Sequence, residues 1–260
     1  MNKTLILTPN SQMNCGMFQL AQDLAKEFDG DIKFKGDFNA FTDYNQWEKY
    51  EIVITLLYPM HGWGKDYKVN STHQVKLICY DQKIPPVTKT YFPNFWRRQA
   101  MRYINWRNNA TMQGADEYWD VTEREQKPRW TKKHTDFRGF DTAKPYALYL
   151  GRKTDYKNFN WLQKTMQELN ISLLFFDEPH NDDWVHYYLS NAKMLVTASL
   201  WEGYGRTPQE AEVLGIPAVA YDVGAHKRHI KKGICVHLDI DNIEVSEALF
   251  KEAVLKIWSI

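Results

Sequence analysis

Residues 52–58 read IVITLLY, an almost unbroken apolar run. A strand with one solvated face alternates apolar and polar residues. A run this continuous belongs to a strand buried on both faces, as in a parallel sheet covered by helices. The rest of the chain repeats the theme. Leu5–Thr8, Asp31–Lys35, Glu51–Tyr58, Val75–Tyr80 and Tyr118–Thr122 are strand candidates. Between the first two, Met17–Phe28 sets Phe18, Leu20, Ala21, Leu24, Ala25 and Phe28 at helical spacing. Phe95–Asn109 also reads as a helix. Residues 124–145, REQKPRWTKKHTDFRGFDTAKP, break the pattern with a polar, charged stretch, and the alternation then restarts. Strands at Tyr146–Leu150, Ile171–Phe176, Met194–Ala198 and Ala218–Tyr221 alternate with helices at Phe159–Leu169, Asp183–Ser190, Pro208–Leu214 and Val245–Trp258. This order predicts an α/β chain of two Rossmann-like, doubly wound domains, 1–142 and 143–260, with a ligand cleft between them at the strand C-termini. At roughly 150 residues per domain, 260 residues suit two small ones.

Several classes of protein are excluded. Hydrophobic residues make up 43% of the chain, enough apolar surface to offset chain entropy, so wholesale disorder is ruled out. No apolar run approaches the ~18 residues of a membrane span, and the N-terminal LIL is too short for a secretory signal. Cys15, Cys79 and Cys235 are far apart and form no C-x-x-C, which argues against a disulfide framework or zinc site and makes a reducing cytoplasm the expectation. The net charge of +1 implies no global field for a polyanion, so nucleic acid is not an expected partner. No G-x-G-x-x-G follows the first strand, which speaks against a dinucleotide-binding dehydrogenase.

The densest stretch is 199–224, SLWEGYGRTPQEAEVLGIPAVAYDVG. Gly203 and Gly205 allow a backbone to approach a ligand closely. Thr207, Pro208 and Glu210 read as N-cap, first and third positions of a helix whose free N–H groups can meet a phosphate. The spelling Thr-x-x-Glu is equally a capping box, in which Glu210 would do no more than close its own helix. Upstream, Gly151-Arg152 and Lys157 follow the strand YALYL and put two cations at a strand end, suited to a diphosphate and to charge that grows on it as a bond breaks. Asp239-Ile240-Asp241 spells D-x-D but lies far from this motif, and no metal-ligating cluster is evident.

Ser199, Glu202-Gly203-Tyr204-Gly205, Glu210-Ala211, Gly215, Pro217 and Asp222-Val223-Gly224, with Gly151-Arg152 and Lys157 before them, resemble the retaining GT-B glycosyltransferases of family 4, the glycosyl transferases group 1 type. The likeness is strong over about 146–225 and loose over 1–140. It implies an enzyme of hexosyltransferase type that moves a sugar from a nucleoside-diphosphate sugar to an acceptor hydroxyl with retention of configuration and no obligatory metal. It further implies Glu202 as the catalytic, sugar-side group and Arg152, Lys157, Gly203, Tyr204, Gly205 and Glu210 as donor-binding residues, with Glu210 holding the ribose hydroxyls. Gly16, in the loop after the first strand, stands where the family has a glycine pair. Two departures stand out. Tyr80 occupies the strand end where the family often has a histidine, with His61 the nearest other candidate. Arg228 stands near the place of a common acidic residue and would add a cation. These departures motivate the alternative of a non-catalytic nucleotide-sugar or glycan-binding module on the same fold.

No Asp or Glu occurs between Asp81 and Asp116, where Arg97, Arg98, Arg102 and Arg107 interleave with Trp96, Tyr103 and Trp106. The plain reading is an amphipathic helix with a basic solvent face. The sharper reading makes residues 96–107 a patch for an anionic acceptor or the inner membrane surface. The acceptor class, whether glycan, lipid or protein, is not specified by the sequence.

Overall fold

The structure is a computed structural model and describes residues 4–8, 16–34, 50–56, 64, 68–69, 74–81, 115–120, 126, 128–134, 145–176 and 181–260. The chain divides into two compact units, one formed by 1–84 with 96–127, the other by 85–95 with 128–260. The expected helix 95–109, the basic patch 96–107 and His61 lie outside the described residues.

In the first unit, strands β1 (Thr4–Thr8), β2 (Gly30–Phe34), β3 (Ile52–Leu56), β4 (Lys76–Asp81) and β5 (Glu117–Asp120) form a sheet in the order β2-β1-β3-β4-β5. Every pairing is parallel, with Ile6 opposite Ile32 on one side and Ile54 on the other. The apolar run has the expected cause over its described part, 52–56: Val53, Ile54 and Leu56 are each 0% exposed. Helix α1 (Gly16–Phe28) returns the chain from β1 to β2 and buries Leu20, Ala21 and Leu24, the apolar side read from its spacing.

The second unit repeats the plan. It contains β6 (Ala147–Tyr149), a 3-10 turn at Asp155–Lys157, α2 (Phe159–Glu168), β7 (Leu173–Phe175), α3 (Asp182–Asn191) and β8 (Met194–Thr197). Then follow α4 (Arg206–Val213), β9 (Ala218–Tyr221), the single turn α5 (His226–His229), β10 (Ile234–Val236) and α6 (Ile243–Trp258). Its sheet is parallel throughout, in the order β10-β9-β8-β6-β7. Alternation along each strand builds two cores, one per face. Ala147, Tyr149, Val196, Val219 and Tyr221 meet α2 and α6 through Phe159, Leu162, Met166, Phe250 and Val254. Leu148, Leu195, Ala218 and Ala220 meet α3 and α4 through Tyr188, Leu189, Ala211 and Leu214. Helices on both faces make the unit doubly wound.

Besides the 3-10 turn, two elements were not expected from sequence. Strand β10 has three residues, too few for a periodic signal; Gly233 before it packs so closely that a Cβ there would lie 1.8 Å from the Ala218 carbonyl oxygen. Turn α5 is a four-residue run, HKRH, without an apolar stripe. Helix α4 starts earlier than expected, at Arg206, with Gly205 as its N-cap in the left-handed region at φ 70°. Thr207 therefore does not cap it, and Pro208 sits within the first turn, where a missing N–H is harmless. No helix among the described residues is long and apolar enough to cross a membrane.

Candidate functional site

Strands β6 and β8 are neighbours, and the crossover after β6 runs to β7 on one side while the crossover after β8 runs to β9 on the other. In an open α/β sheet the crevice at the carboxyl ends of such a pair is where ligands bind. The two loops that emerge there, after β6 and after β8, carry Arg152, Lys157, Ser199 and Glu202. A backbone bond joins them, with the Leu200 N–H donating to the Tyr156 carbonyl at 2.8 Å.

Side chains extend that junction. The Lys157 ammonium pairs with Glu202 Oε1, both side chains being mostly buried. Ser199 Oγ donates to the same Oε1 at 3.3 Å and lies 3.1 Å from Thr197 Oγ1. Glu202 is thus held by a cation and a hydroxyl, an arrangement that orients a carboxylate. Burial, reinforced by the charge of Glu202, pushes the Tyr149 hydroxyl well above its ordinary pKa; it donates to the Arg152 carbonyl at 2.9 Å. The Arg152 guanidinium is exposed and donates to the Tyr156 hydroxyl at 3.2 Å.

The glycine loop is fixed from behind by 224–226. A Cβ on Gly224, at φ 57°, would sit 2.2 Å from the Gly203 carbonyl oxygen, so only glycine lets that backbone pass. A Cβ on Gly205 would sit 2.4 Å from the His226 ring. His226 is fully buried, which holds its pKa below the ordinary value. Its Nδ1 lies 2.9 Å from the Tyr221 carbonyl. A neutral ring then carries the proton on Nδ1 and turns an unprotonated Nε2 to the loop. Tyr204 is buried. Its hydroxyl accepts from Gln209 at 3.1 Å, its ring packs on His229 at 4.6 Å, and the Arg228 guanidinium lies 5.6 Å from its centre. A ligand at this loop would meet the backbone of Tyr204, not its ring, and Arg228 stands one ring behind the loop.

Glu210 projects from α4 and is 0% exposed. No bond links it to Thr207; the capping box does not form. Its oxygens instead accept from Arg129, Oε1 from Nε at 2.7 Å and Oε2 from Nη2 at 2.9 Å. Arg129 Nη1 donates to Asp182 at 2.9 Å, and Arg206 Nε lies 3.9 Å from Glu210 Oε1. Burial works against the charge on Arg129. The bonds to Glu210 and the charges of Glu210 and Asp182 outweigh it and raise the guanidinium pKa. The segment carrying Arg129 is tied down along α3. Trp130 stacks on His186 at 4.7 Å, His186 Nε2 lies 2.7 Å from the Lys132 carbonyl, and the His134 N–H donates to Ser190 Oγ at 2.9 Å.

The structure thus gathers Arg152, Lys157, Glu202 and Gly203–Gly205 at neighbouring loops of one sheet, with Glu210 at the start of the helix that follows. Gly16 and Tyr80 belong to the first unit, where Gly16 opens α1 and Tyr80 lies in β4. Asp239 of the D-x-D spelling is engaged at the start of α6, accepting from the Asp241 and Asn242 N–H groups. Sequence reasoning missed Arg129, Asp182, Arg206 and His226. Arg206 stands four residues before Glu210, a helical spacing that signals the pair. Arg129 sits in a charged stretch 81 residues from its partner, and nothing local announces it.

Residues 157–255 match the family described as glycosyl transferases group 1. That span takes in Lys157, Glu202, the glycine loop, Glu210 and Arg228; Arg129 and Arg152 precede it. No curated protein sequence matches the chain. Sucrose-phosphate synthase from Thermosynechococcus elongatus superposes with a TM-score of 0.64 at 14% identity, over 100% of this chain and 90% of that one. Anabaena HepE in complex with UDP and glucose gives 0.54 at 10% identity, over 99% and 97%. An alpha-glucosyltransferase in complex with UDP-glucose and DNA containing an abasic site gives 0.52 at 11% identity, over 96% and 90%. The fold is GT-B. At these identities the likeness carries the GT-B architecture alone.

Proposed function

We propose that the chain is a glycosyltransferase that takes a sugar from a nucleoside-diphosphate sugar and passes it to an acceptor hydroxyl with retention of configuration. The observation that carries this reading is the Lys157–Glu202 pair beside the 203–205 loop, at the carboxyl end of two adjacent parallel strands. A carboxylate and a cation held together there serve two ends of one ligand. In this reading the donor diphosphate takes over Lys157, with Arg152 and the loop N–H groups beside it. Glu202, no longer matched by the ammonium, faces the sugar, where it stabilises the positive charge that develops at the anomeric carbon. The bond from that carbon to the phosphate oxygen breaks, the acceptor oxygen bonds to the same face, and the acceptor proton leaves with the diphosphate. Fixed cations supply the counter-charge for the departing group, the role a metal would otherwise play. Glu210 accepts the ribose hydroxyls.

The match to the group 1 family supports sugar transfer, and the nucleotide complexes of HepE and the alpha-glucosyltransferase support a nucleotide donor. Because one of these relatives is solved with DNA, near-neutral net charge does not exclude nucleic acid as an acceptor alongside glycan, lipid or protein. A thermal-shift panel of nucleoside diphosphates and their sugars tests the reading. A ligand at 100 times its dissociation constant adds about 2.7 kcal/mol of stability. Stabilisation by one nucleotide family and its sugars is expected; no shift with any member would overturn it.

A further inference from the structure

Glu210 is where the proposed reaction needs an accessible acceptor, and the ligand-free chain exposes none. Both carboxylate oxygens bond to Arg129 and the side chain is 0% exposed. While the guanidinium is in place, no ribose hydroxyl reaches the carboxylate. We propose that Arg129 sets the affinity and ribose selectivity of the nucleotide side: its guanidinium holds the oxygens that the ribose takes, and binding exchanges the one for the other. This inference rests on the reading of Glu210 as the ribose acceptor.

The surroundings are built to allow that exchange. Breaking a buried ion pair is ordinarily prohibitive because each partner is left without a counter-charge. Here neither is. Arg129 keeps Asp182, whose carboxylate it already contacts at 2.9 Å and which is 46% exposed. It also keeps the Trp130 ring, 4.1 Å from its central carbon. Glu210 keeps Arg206, 3.9 Å away on the same helix. Among the described residues, His186 of α3 also faces the guanidinium, across the Trp130 ring. The 128–134 segment itself need not move. Its ties to His186 and Ser190 hold the backbone and the Trp130 ring rather than the guanidinium itself, so rotation of the Arg129 side chain would make the exchange. A purely structural tie would need no second carboxylate within reach of Arg129. An Arg129 that only oriented Glu210 would leave part of the carboxylate open to the ligand.

Calorimetric titration of the full chain with UDP, ADP and GDP, each beside its 2′,3′-dideoxy counterpart, tests the exchange. The parent should prefer the ribonucleotide. Arg129→Gln should strengthen ribonucleotide binding about tenfold, as removal of a competing closed state does, and leave the dideoxy form unchanged. Weaker ribonucleotide binding, no change, or equal strengthening of both forms would overturn the proposal. Should Arg129→Gln fail to fold, Asp182→Asn decides. It removes the carboxylate to which the guanidinium retreats, so ribonucleotide binding should weaken and dideoxy binding hold; any other pattern counts against exchange. A parent that binds no nucleotide, or binds ribo and dideoxy forms alike, refutes the reading of Glu210 itself. A parent that discriminates while Arg129→Gln gains nothing refutes only the role of Arg129.

Discussion

Lys157, at the end of the turn after β6, and Glu202, in the loop after β8, form an ion pair between residues 45 apart in the chain, beside the Leu200–Tyr156 backbone bond. The pair joins the two carboxyl-end loops where crossovers of the second sheet reverse. Its partners differ in exposure from Arg152, and that difference ranks the cations.

Lys157→Ala should weaken nucleoside-diphosphate binding by about 1.5–3 kcal/mol, the range for a hydrogen bond to a charged group. Arg152 is exposed, and solvent screens it; Arg152→Ala should cost about 0–1 kcal/mol. Titration at 50 and 500 mM salt separates the two. The Arg152 effect should vanish at high salt while the Lys157 effect persists. Equal losses from both would mean that burial does not rank them.

Gly205 and His226 make a size-matched pair. Gly205→Ala adds a Cβ at φ 70° and drives it to 2.4 Å from the imidazole, so it should destabilise by about 1–3 kcal/mol and displace the loop. The clash is with one side chain, so adding His226→Ala should return part of the loss. A double-mutant cycle by urea unfolding reads the coupling. Additive effects would show that backbone strain alone is responsible.

His229 links stability to pH. Burial, with the nearby charges of Arg228 and Lys231, pushes its pKa down to about 4 in the folded chain, against the backbone bond to Tyr204. The unfolded chain takes up the proton near pH 6.5, and the folded chain does not until about pH 4. Stability therefore falls as pH drops through that window, by at most about 1.4 kcal/mol per pH unit. His226 acts in the same direction. Unfolding at pH 7, 6, 5 and 4.5 should show the fall, and His229→Phe should flatten it relative to the parent. Parallel curves for the two proteins would assign the acid sensitivity elsewhere.

The sheets were legible because burial on both faces writes itself into composition: IVITLLY and the strands at 147–149, 194–197 and 218–221 are apolar but for Thr55 and Thr197. The loops bearing Arg152, Lys157, Glu202 and the glycines were legible because close approach and charge at strand ends restrict residue type. The environment of Glu210 was not. Thr-x-x-Glu spells a capping box, yet Gly205 begins the helix two residues earlier and a distant arginine claims the carboxylate. Pairings of that kind arise from tertiary packing and leave no periodicity behind. The burial of Tyr204 was hidden for the same reason, since its neighbours Gln209, Arg228 and His229 come together only through the turn after β9.

Release of nucleoside diphosphate from a panel of nucleotide sugars, measured for the parent and for Glu202→Gln, tests the central claim most directly. Glu202 is assigned to the sugar, and in the ligand-free chain it also holds Lys157, so the substitution should leave nucleoside-diphosphate affinity unchanged or stronger while turnover falls by about 100-fold or more, the pattern of an interaction made in the transition state. No release from any donor by the parent, or release by Glu202→Gln at the parental rate, would contradict the account.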